Sequence, residues 1–268
     1  MKFVVILSLT VLILSFFAFI GNRQFSQLFE EKEANSVAEL QTPEIPSNLL
    51  ENSFAINVEQ NSYRVLVTKV ANKKNLALIP NFTDRIAGEK LAQKNSCIRA
   101  INGGFYTNTY LPLGLFVVKG NILGEVRKSE LTNGFFWVNS SSDSYIAKEL
   151  PDDWSYMLFV LQSGPVVKIN NRELTSLSTV NDESARRSLI GIDQANNIFF
   201  LSIFDQKHLL SGPYLSELPK VVKAVEQNTS ITFKDVLNLD GGSASFFYTK
   251  NFVLNELALV GSILCERE

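Results

Sequence analysis

A single histidine, His208, is all the imidazole this chain possesses, and two cysteines, Cys97 and Cys265, are its only thiols. That scarcity removes whole classes of chemistry. A serine hydrolase needs a base beside its nucleophile, and no Gly-x-Ser-x-Gly elbow is present to present one. Cysteine protease chemistry fails for the same want of a partner. With neither a Cys-x-x-Cys nor a His-x-x-x-His spacing, a structural zinc lacks soft ligands. The glycine-rich stretches lack the lysine of a phosphate-binding loop, and no strand–GxGxxG–helix unit occurs, so nucleotide motor and dinucleotide folds drop out. Charge is sparse as well. Lysine and arginine number 25 against 27 acidic residues, a net charge of −2, with no basic block to serve nucleic acid or anionic lipid. There is no internal repeat.

Long apolar runs are also few, and the main one is terminal. After Lys2, residues Phe3 to Ile20 carry no charge and no strong helix breaker, a length at the border between a signal-peptide core and a membrane span. A small-x-small cleavage site does not follow, because Phe16 stands two before Ala18 and Phe19 two before Gly21. Residues 1–21 therefore read as a signal peptide or a signal anchor, the anchor being favoured. Lys2 before the run and Glu30, Glu31 and Glu33 after it place the rest of the chain outside the cytoplasm. Residues 22–50, polar and carrying Pro43 and Pro46, read as a linker. Residues 51–268 then form one domain, long enough for a single well-filled core. In an exported chain Cys97 and Cys265 either pair, tying the last strand to one near the domain's start, or stay as two buried thiols.

Within the domain, β-like runs fall at residues 62–70, 76–80, 114–118, 134–138, 164–168, 188–192 and 198–204. Lys119-Gly120-Asn121, Asn170-Asn171 and Gln194-Ala195-Asn196-Asn197 suit hairpin turns. Helices are expected over 84–94 and 216–227, the second with Leu218, Val221, Val222 and Val225 as its apolar stripe and Ser216 as its cap. Frequent hairpins and few helices give an α+β domain with a mixed, largely antiparallel sheet.

Two glycine pairs carry the strongest functional signal. Cys97-Ile98-Arg99-Ala100-Ile101 leads into Asn102-Gly103-Gly104-Phe105-Tyr106, and Asp235-Val236-Leu237-Asn238-Leu239 leads into Asp240-Gly241-Gly242-Ser243. In both, apolar strand gives way to backbone that a ligand can approach closely. A carboxylate, an amide and exposed N–H groups at strand ends favour a polar, phosphate-containing ligand. Arg186-Arg187 open the strand Ser188–Ile192, and strand alternation sends their side chains to opposite faces, so that one enters a site while Arg186 is a surface charge. Glu183 reads as a solvated loop charge and His208 as a surface turn residue. Phe105 and Tyr106 stack on a sugar or belong to the core.

The order Asn102-Gly103-Gly104-Phe105-Tyr106, Pro112-x-Gly114, Lys119-Gly120, Asn133-Gly134, Gln162-Ser163-Gly164-Pro165, Arg187-x-x-x-Gly191 and Leu239-Asp240-Gly241-Gly242-Ser243-x-Ser245 resembles the phosphodiester glycosidase domain family. That family includes the enzyme that uncovers mannose 6-phosphate by removing N-acetylglucosamine from a phosphodiester. The form of the motifs looks more like a bacterial envelope branch. The resemblance implies a hydrolase that cleaves the glycosidic bond of a sugar 1-phosphodiester, drawn from envelope glycans or exopolysaccharide, with no cofactor required. Phosphate departs as a stabilised anion, so the site needs positive charge for the phosphate and a carboxylate for the sugar. Arg187 fits the first need and Asp240 the second, as nucleophile or as base. Asn102, Gly103, Gly104, Gln162, Ser163, Gly164, Gly241, Gly242 and Ser243 are the expected substrate-binding residues. Two other readings stay open. One is a non-catalytic glycan-binding envelope protein; the other is a metal-dependent phosphodiesterase that joins Asp240 with Asp193 or Asp205 as oxygen ligands.

Overall fold

The computed structural model describes residues 45–173 and 182–268; the terminal apolar run and most of the expected linker lie outside them. A short helix α1 (Ser47–Asn52) begins within the stretch read as linker and buries Leu49. No helix among the described residues is long and apolar enough to cross a membrane.

The domain is built from three sheets, and every pairing among the described strands is antiparallel, in keeping with the largely antiparallel α+β domain expected. The first sheet holds β1 (Phe54–Val58), β2 (Asn61–Lys69), β13 (Ile198–Asp205), β12 (Arg187–Asp193), β14 (Phe233–Asn238), β10 (Val166–Ile169) and β11 (Arg172–Glu173), in that order. The second runs β16 (Val253–Leu254), β15 (Phe247–Thr249), β4 (Cys97–Asn102), β17 (Ser262–Arg267) and β3 (Leu76–Pro80). The third runs β6 (Asn121–Gly124), β5 (Phe116–Val118), β9 (Met157–Ser163), β7 (Gly134–Asn139) and β8 (Ser144–Ala147).

Period-two alternation divides the apolar residues between two sides of each sheet. Leu66, Ile101, Phe136, Phe159, Ile190, Phe200, Leu237, Phe247 and Leu264 come from all three sheets and meet in one central core. Their neighbours Val65, Leu189, Leu201 and Val236 face the other way, onto helix α3 (Leu218–Asn228). A strand covered on both sides has no need of polar residues, which is why Ile198–Phe204 reads as an almost unbroken apolar run. Helix α2 (Gly88–Lys94) packs Leu91 and Ala92 onto the outer side of the second sheet, around Ile79, Ala100 and Cys265.

The hairpin turns follow from local chemistry. Lys119 and Gly120 both have positive φ (50° and 78°) between β5 and β6, and Asn170 and Asn171 (48° and 65°) between β10 and β11. Asn196 takes φ 62° in the β12–β13 turn. The helix starts depart from expectation. Residue 84 does not begin α2, because Asn81 accepts from Ile86 N at 3.1 Å and donates to Ile86 O at 2.8 Å, and Arg85 sits at φ 49°, where no right-handed helix passes. Nor does Ser216 cap α3. Leu215–Glu217 form a 3-10 turn ahead of it, and the Ser216 N–H instead donates to Asp182 Oδ2 at 2.9 Å. Cys97 and Cys265 are paired across β4 and β17, with Cα atoms 5.5 Å apart and 168 residues between them.

Candidate active site

The site stands where strands of two sheets end together. Register places Leu189 opposite Asn238 in the first sheet, so the chain beyond β14 runs past the start of β12. In the second sheet Ile263 pairs with Asn102, and the chain beyond β4 emerges beside Ser262. The two glycine loops then touch: Asp240 N donates to Gly103 O at 3.1 Å.

Asn102 holds this junction together. Its Nδ2 donates to Asp240 O (2.7 Å) and Gly103 O (3.2 Å), while its Oδ1 accepts from Ser188 Oγ (2.6 Å) and Phe246 N (3.0 Å). The residue is 1 % exposed and both of its amide atoms are engaged, so it ties the second sheet to the first instead of facing outward. Gln162 behaves alike on the third sheet. Its Oε1 accepts from Leu115 N (2.8 Å) and Arg127 N (2.9 Å), and its Nε2 donates to Thr132 O (2.7 Å) and to Arg127 O. Ser163 and Gly164 are buried next to it; Gly164 adopts φ +155°, closed to side-chain-bearing residues, and its carbonyl accepts from Asn238 Nδ2 at 2.7 Å. Gly103 and Gly104 are buried too, Gly103 N donating to Ser262 O at 2.8 Å.

The Asp240 loop lies against the main chain of the two arginines. Gly242 N donates to Arg186 O at 2.8 Å, and a Cβ on Gly241 would stand 2.8 Å from that same oxygen, an approach only glycine permits. Ser243 is exposed, and its carbonyl accepts from Leu257 N (2.7 Å) and Ala258 N (2.9 Å). The Asp240 carboxyl has one protein donor among the described residues, Gly241 N at 2.9 Å on Oδ1. Burial pushes it up to about 7, against the opposing pull of that single hydrogen bond. Nearby, Tyr106 donates its hydroxyl to Leu259 O at 2.6 Å and stacks on Tyr110. Its phenol is pushed up to about 12, mainly by burial and then by the charge of Asp240.

Both arginines are buried, Arg186 at 1 % and Arg187 at 6 % exposure, which corrects the expectation that Arg186 is a surface charge. Alternation does send them apart. Arg187 donates through Nε to Pro213 O (2.8 Å) and through Nη2 to Glu183 O and Asp182 Oδ1 (3.5 Å). Its Nη1 makes no hydrogen bond within the described residues and lies beside Gly241, 3.9 Å from where a Cβ there would be. Burial lowers the Arg187 pKa, and Asp182, Glu183 and Glu217 oppose that shift. Arg186 turns to the other side, reaching Asn255 O (3.0 Å) and Gly242 O (3.4 Å).

The oxygen ligands suggested for a metal do not converge. Asp193 pairs with Phe233 at the opposite end of β14, roughly 20 Å of strand from Asp240. It is occupied by Asn197, through N at 2.8 Å and Nδ2 at 2.7 Å. Asp205 accepts from Lys207 N (2.8 Å) and His208 N (2.9 Å) in its own turn. His208 and Glu183 are exposed, as expected.

A model of the phosphodiester glycosidase family matches residues 95–265, which include both glycine loops, Gln162 and both arginines. The chain belongs to the phosphodiester glycosidase family. A search of curated proteins gives no match. Among solved structures, the catalytic domain of zebrafish N-acetylglucosamine-1-phosphodiester alpha-N-acetylglucosaminidase, auto-inhibited by its pro-peptide, superposes with a TM-score of 0.62 at 16 % identity, covering 81 % of each chain. A hypothetical protein from Synechocystis gives a TM-score of 0.54 at 14 % identity, covering 80 % of this chain and 61 % of that one. At these identities the two neighbours show a shared fold.

For this member of the family, sequence reasoning missed Asp182. Its carboxylate accepts from Leu215 N (2.8 Å) and Ser216 N (2.9 Å) while meeting Arg187, joining the start of α3 to the site. No local pattern marks it, since the backbone donors at Leu215 and Ser216 lie more than thirty residues away. Glu256 was missed as well. It accepts from Gly88 N at 2.6 Å and is one of the charges acting on Tyr106 and Arg186.

Proposed function

We propose that this protein hydrolyses the glycosidic bond of sugar 1-phosphodiesters, with N-acetylglucosamine as the first sugar to test, and that it does so outside the cytoplasm. The observation that carries the reading is a desolvated carboxyl, Asp240, next to Gly241, beside which lies the Nη1 of Arg187, with no hydrogen bond among the described residues. Family membership supports the bond class. The acetamido sugar rests on the name of the zebrafish neighbour. The export reading rests on the apolar run at residues 3–20 and on the Cys97–Cys265 pair, which suits an oxidising compartment.

In this reading, ionised Asp240 takes a proton from water as its oxygen bonds to the anomeric carbon, and the bond from that carbon to the phosphate oxygen breaks. The phosphate monoester leaves with the bonding electron pair. A base whose pKa stands near 7 retains proton affinity while being substantially ionised at neutral pH. Arg187 is held in advance by Pro213, Glu183 and Asp182, so its free N–H groups meet the phosphate without reorganisation. Gly103, Gly104 and Gly241 let the loops pack closely on Ser262, Gln162 and Arg186, and Gly242 leaves the substrate room to approach. Asn102, Gln162, Ser163 and Gly164 serve by fixing those loops, and Ser243 lies at the open edge.

The test is sugar release from N-acetylglucosamine 1-phosphodiesters, including UDP-N-acetylglucosamine, with Asp240→Asn and Arg187→Lys proteins alongside and with chelator as a further arm. Release by the parent, lost in Asp240→Asn and indifferent to chelator, is the expected result. Unchanged activity in Asp240→Asn sinks the assignment of the base. Silence on every phosphodiester by a folded protein favours the glycan-binding role, and loss on chelation returns a metal mechanism.

A further inference from the structure

Behind the Asp240 loop lies a pair of charged groups that the proposed chemistry does not use. Arg186, almost wholly buried, grips the loop with both its main chain and its side chain. Its carbonyl accepts from Gly242 N (2.8 Å) and Ser245 Oγ (3.3 Å), and its Nε donates to Gly242 O (3.4 Å). Nη1 donates to Asn255 O (3.0 Å), the carbonyl next to Glu256. Glu256 in turn receives Gly88 N on Oε1 at 2.6 Å. One atom on each partner is buried with no protein hydrogen bond: Nη2 of Arg186, a donor, and Oε2 of Glu256, an acceptor. Buried polar atoms of this kind require a partner, such as ordered water.

We propose that Arg186 and Glu256 are positioning residues, opposite charges packed behind the Asp240-Gly241-Gly242 loop that set its placement. This rests on the reading of Asp240 as the base. Arg186, 1 % exposed, does not touch substrate. The charged and titratable groups around the loop are Tyr106 from the chain after β4, Arg186 and Arg187 at the start of β12, and Glu256 before β17; Asp182 and Glu183 bear on Arg187. Burial pulls Arg186 down to about 10 while Glu256 holds it charged, which keeps the pair neutral as a unit. Removing one member of such a pair leaves an uncompensated buried charge, whereas removing both costs little.

The test is carboxyl NMR of the full-length protein labelled at aspartate, with the Asp240 signal assigned by its absence from Asp240→Asn, together with thermal melts. In Arg186→Met the Asp240 titration moves to lower pH, because a loop that has lost its hydrogen bond from Arg186 admits solvent to a carboxyl that burial holds up. In Glu256→Gln it moves to lower pH. In the double variant the melting loss is smaller than the sum of the two single losses. Arg186→Lys, which keeps the charge, serves if Arg186→Met does not fold, and leaves the Asp240 titration near the parent position while lowering the melting temperature. An unmoved Asp240 titration in folded Arg186→Met and Glu256→Gln, an Arg186→Lys protein that melts like the parent, or strictly additive melting losses overturns the proposal. The readout needs no substrate, so a protein that shows the coupling but no turnover counts against the glycosidase reading and not against this one.

Discussion

Replacing Asp240 by asparagine makes the folded protein more stable at about pH 9 while leaving it nearly unchanged at about pH 3. The unfolded chain ionises an aspartate near 3.9, whereas burial raises the folded value to about 7. The fold therefore favours the protonated form. That contribution is complete below about pH 4 and is lost as the pH climbs through about 7, above which the native state carries a desolvated carboxylate. A gap of about three pKa units corresponds to roughly 4 kcal/mol. Part of the residue's surface is open to solvent, and screening there reduces the expected gain to about 2 kcal/mol. Asparagine retains the acceptor for Gly241 N and never ionises, so it escapes the penalty. In a domain of this size the gain amounts to roughly 4–8 °C in melting temperature. Thermal melts of parent and variant followed by circular dichroism from about pH 3 to about pH 9 measure it. A gain that is the same at both ends, or absent at pH 9, refutes the claim that burial controls this carboxyl.

Gly241→Ala forces a methyl group to within 2.8 Å of the Arg186 carbonyl, which cannot rotate away; a loss of about 1–3 kcal/mol in urea unfolding is expected, with a fall in activity larger than that of Gly120→Ala on the open hairpin. Cys97→Ser with Cys265→Ser removes a link across 168 residues and lowers stability by about 2–5 kcal/mol, seen as an earlier urea midpoint that matches the reduced parent. Gln162→Ala strands the backbone groups of Leu115, Arg127 and Thr132 and costs about 3 kcal/mol or more; because Gln162 faces the protein, the fraction that remains folded keeps the parent KM.

What the sequence made legible was local. Turn residues that tolerate positive φ marked the Lys119-Gly120 and Asn170-Asn171 hairpins, and continuous apolar runs marked strands covered on both sides. The two glycine loops were visible for the same reason, since backbone without Cβ atoms at a strand end has few other uses. The roles of individual side chains were harder to read, because they depend on distant partners. Asn102 looks like a ligand-binding amide until Ser188, Phe246 and Asp240 take all of its bonding capacity. Arg186 looks like a surface charge until the loop at 255–258 covers it. Asp182 carries no motif, yet it caps the turn before α3 and holds Arg187. Helix α2 starts late because the Asn81 amide shapes the turn ahead of it, a bond that periodicity does not register.

The central claim is that water attacks carbon and not phosphorus, and hydrolysis of an N-acetylglucosamine 1-phosphodiester in [18O]water tests it most directly. The account predicts that the label appears at C1 of the released sugar and that the phosphate monoester carries none. Label in the phosphate means that the phosphorus–oxygen bond is the one cut, and contradicts a glycosidase that uses Asp240 as its base.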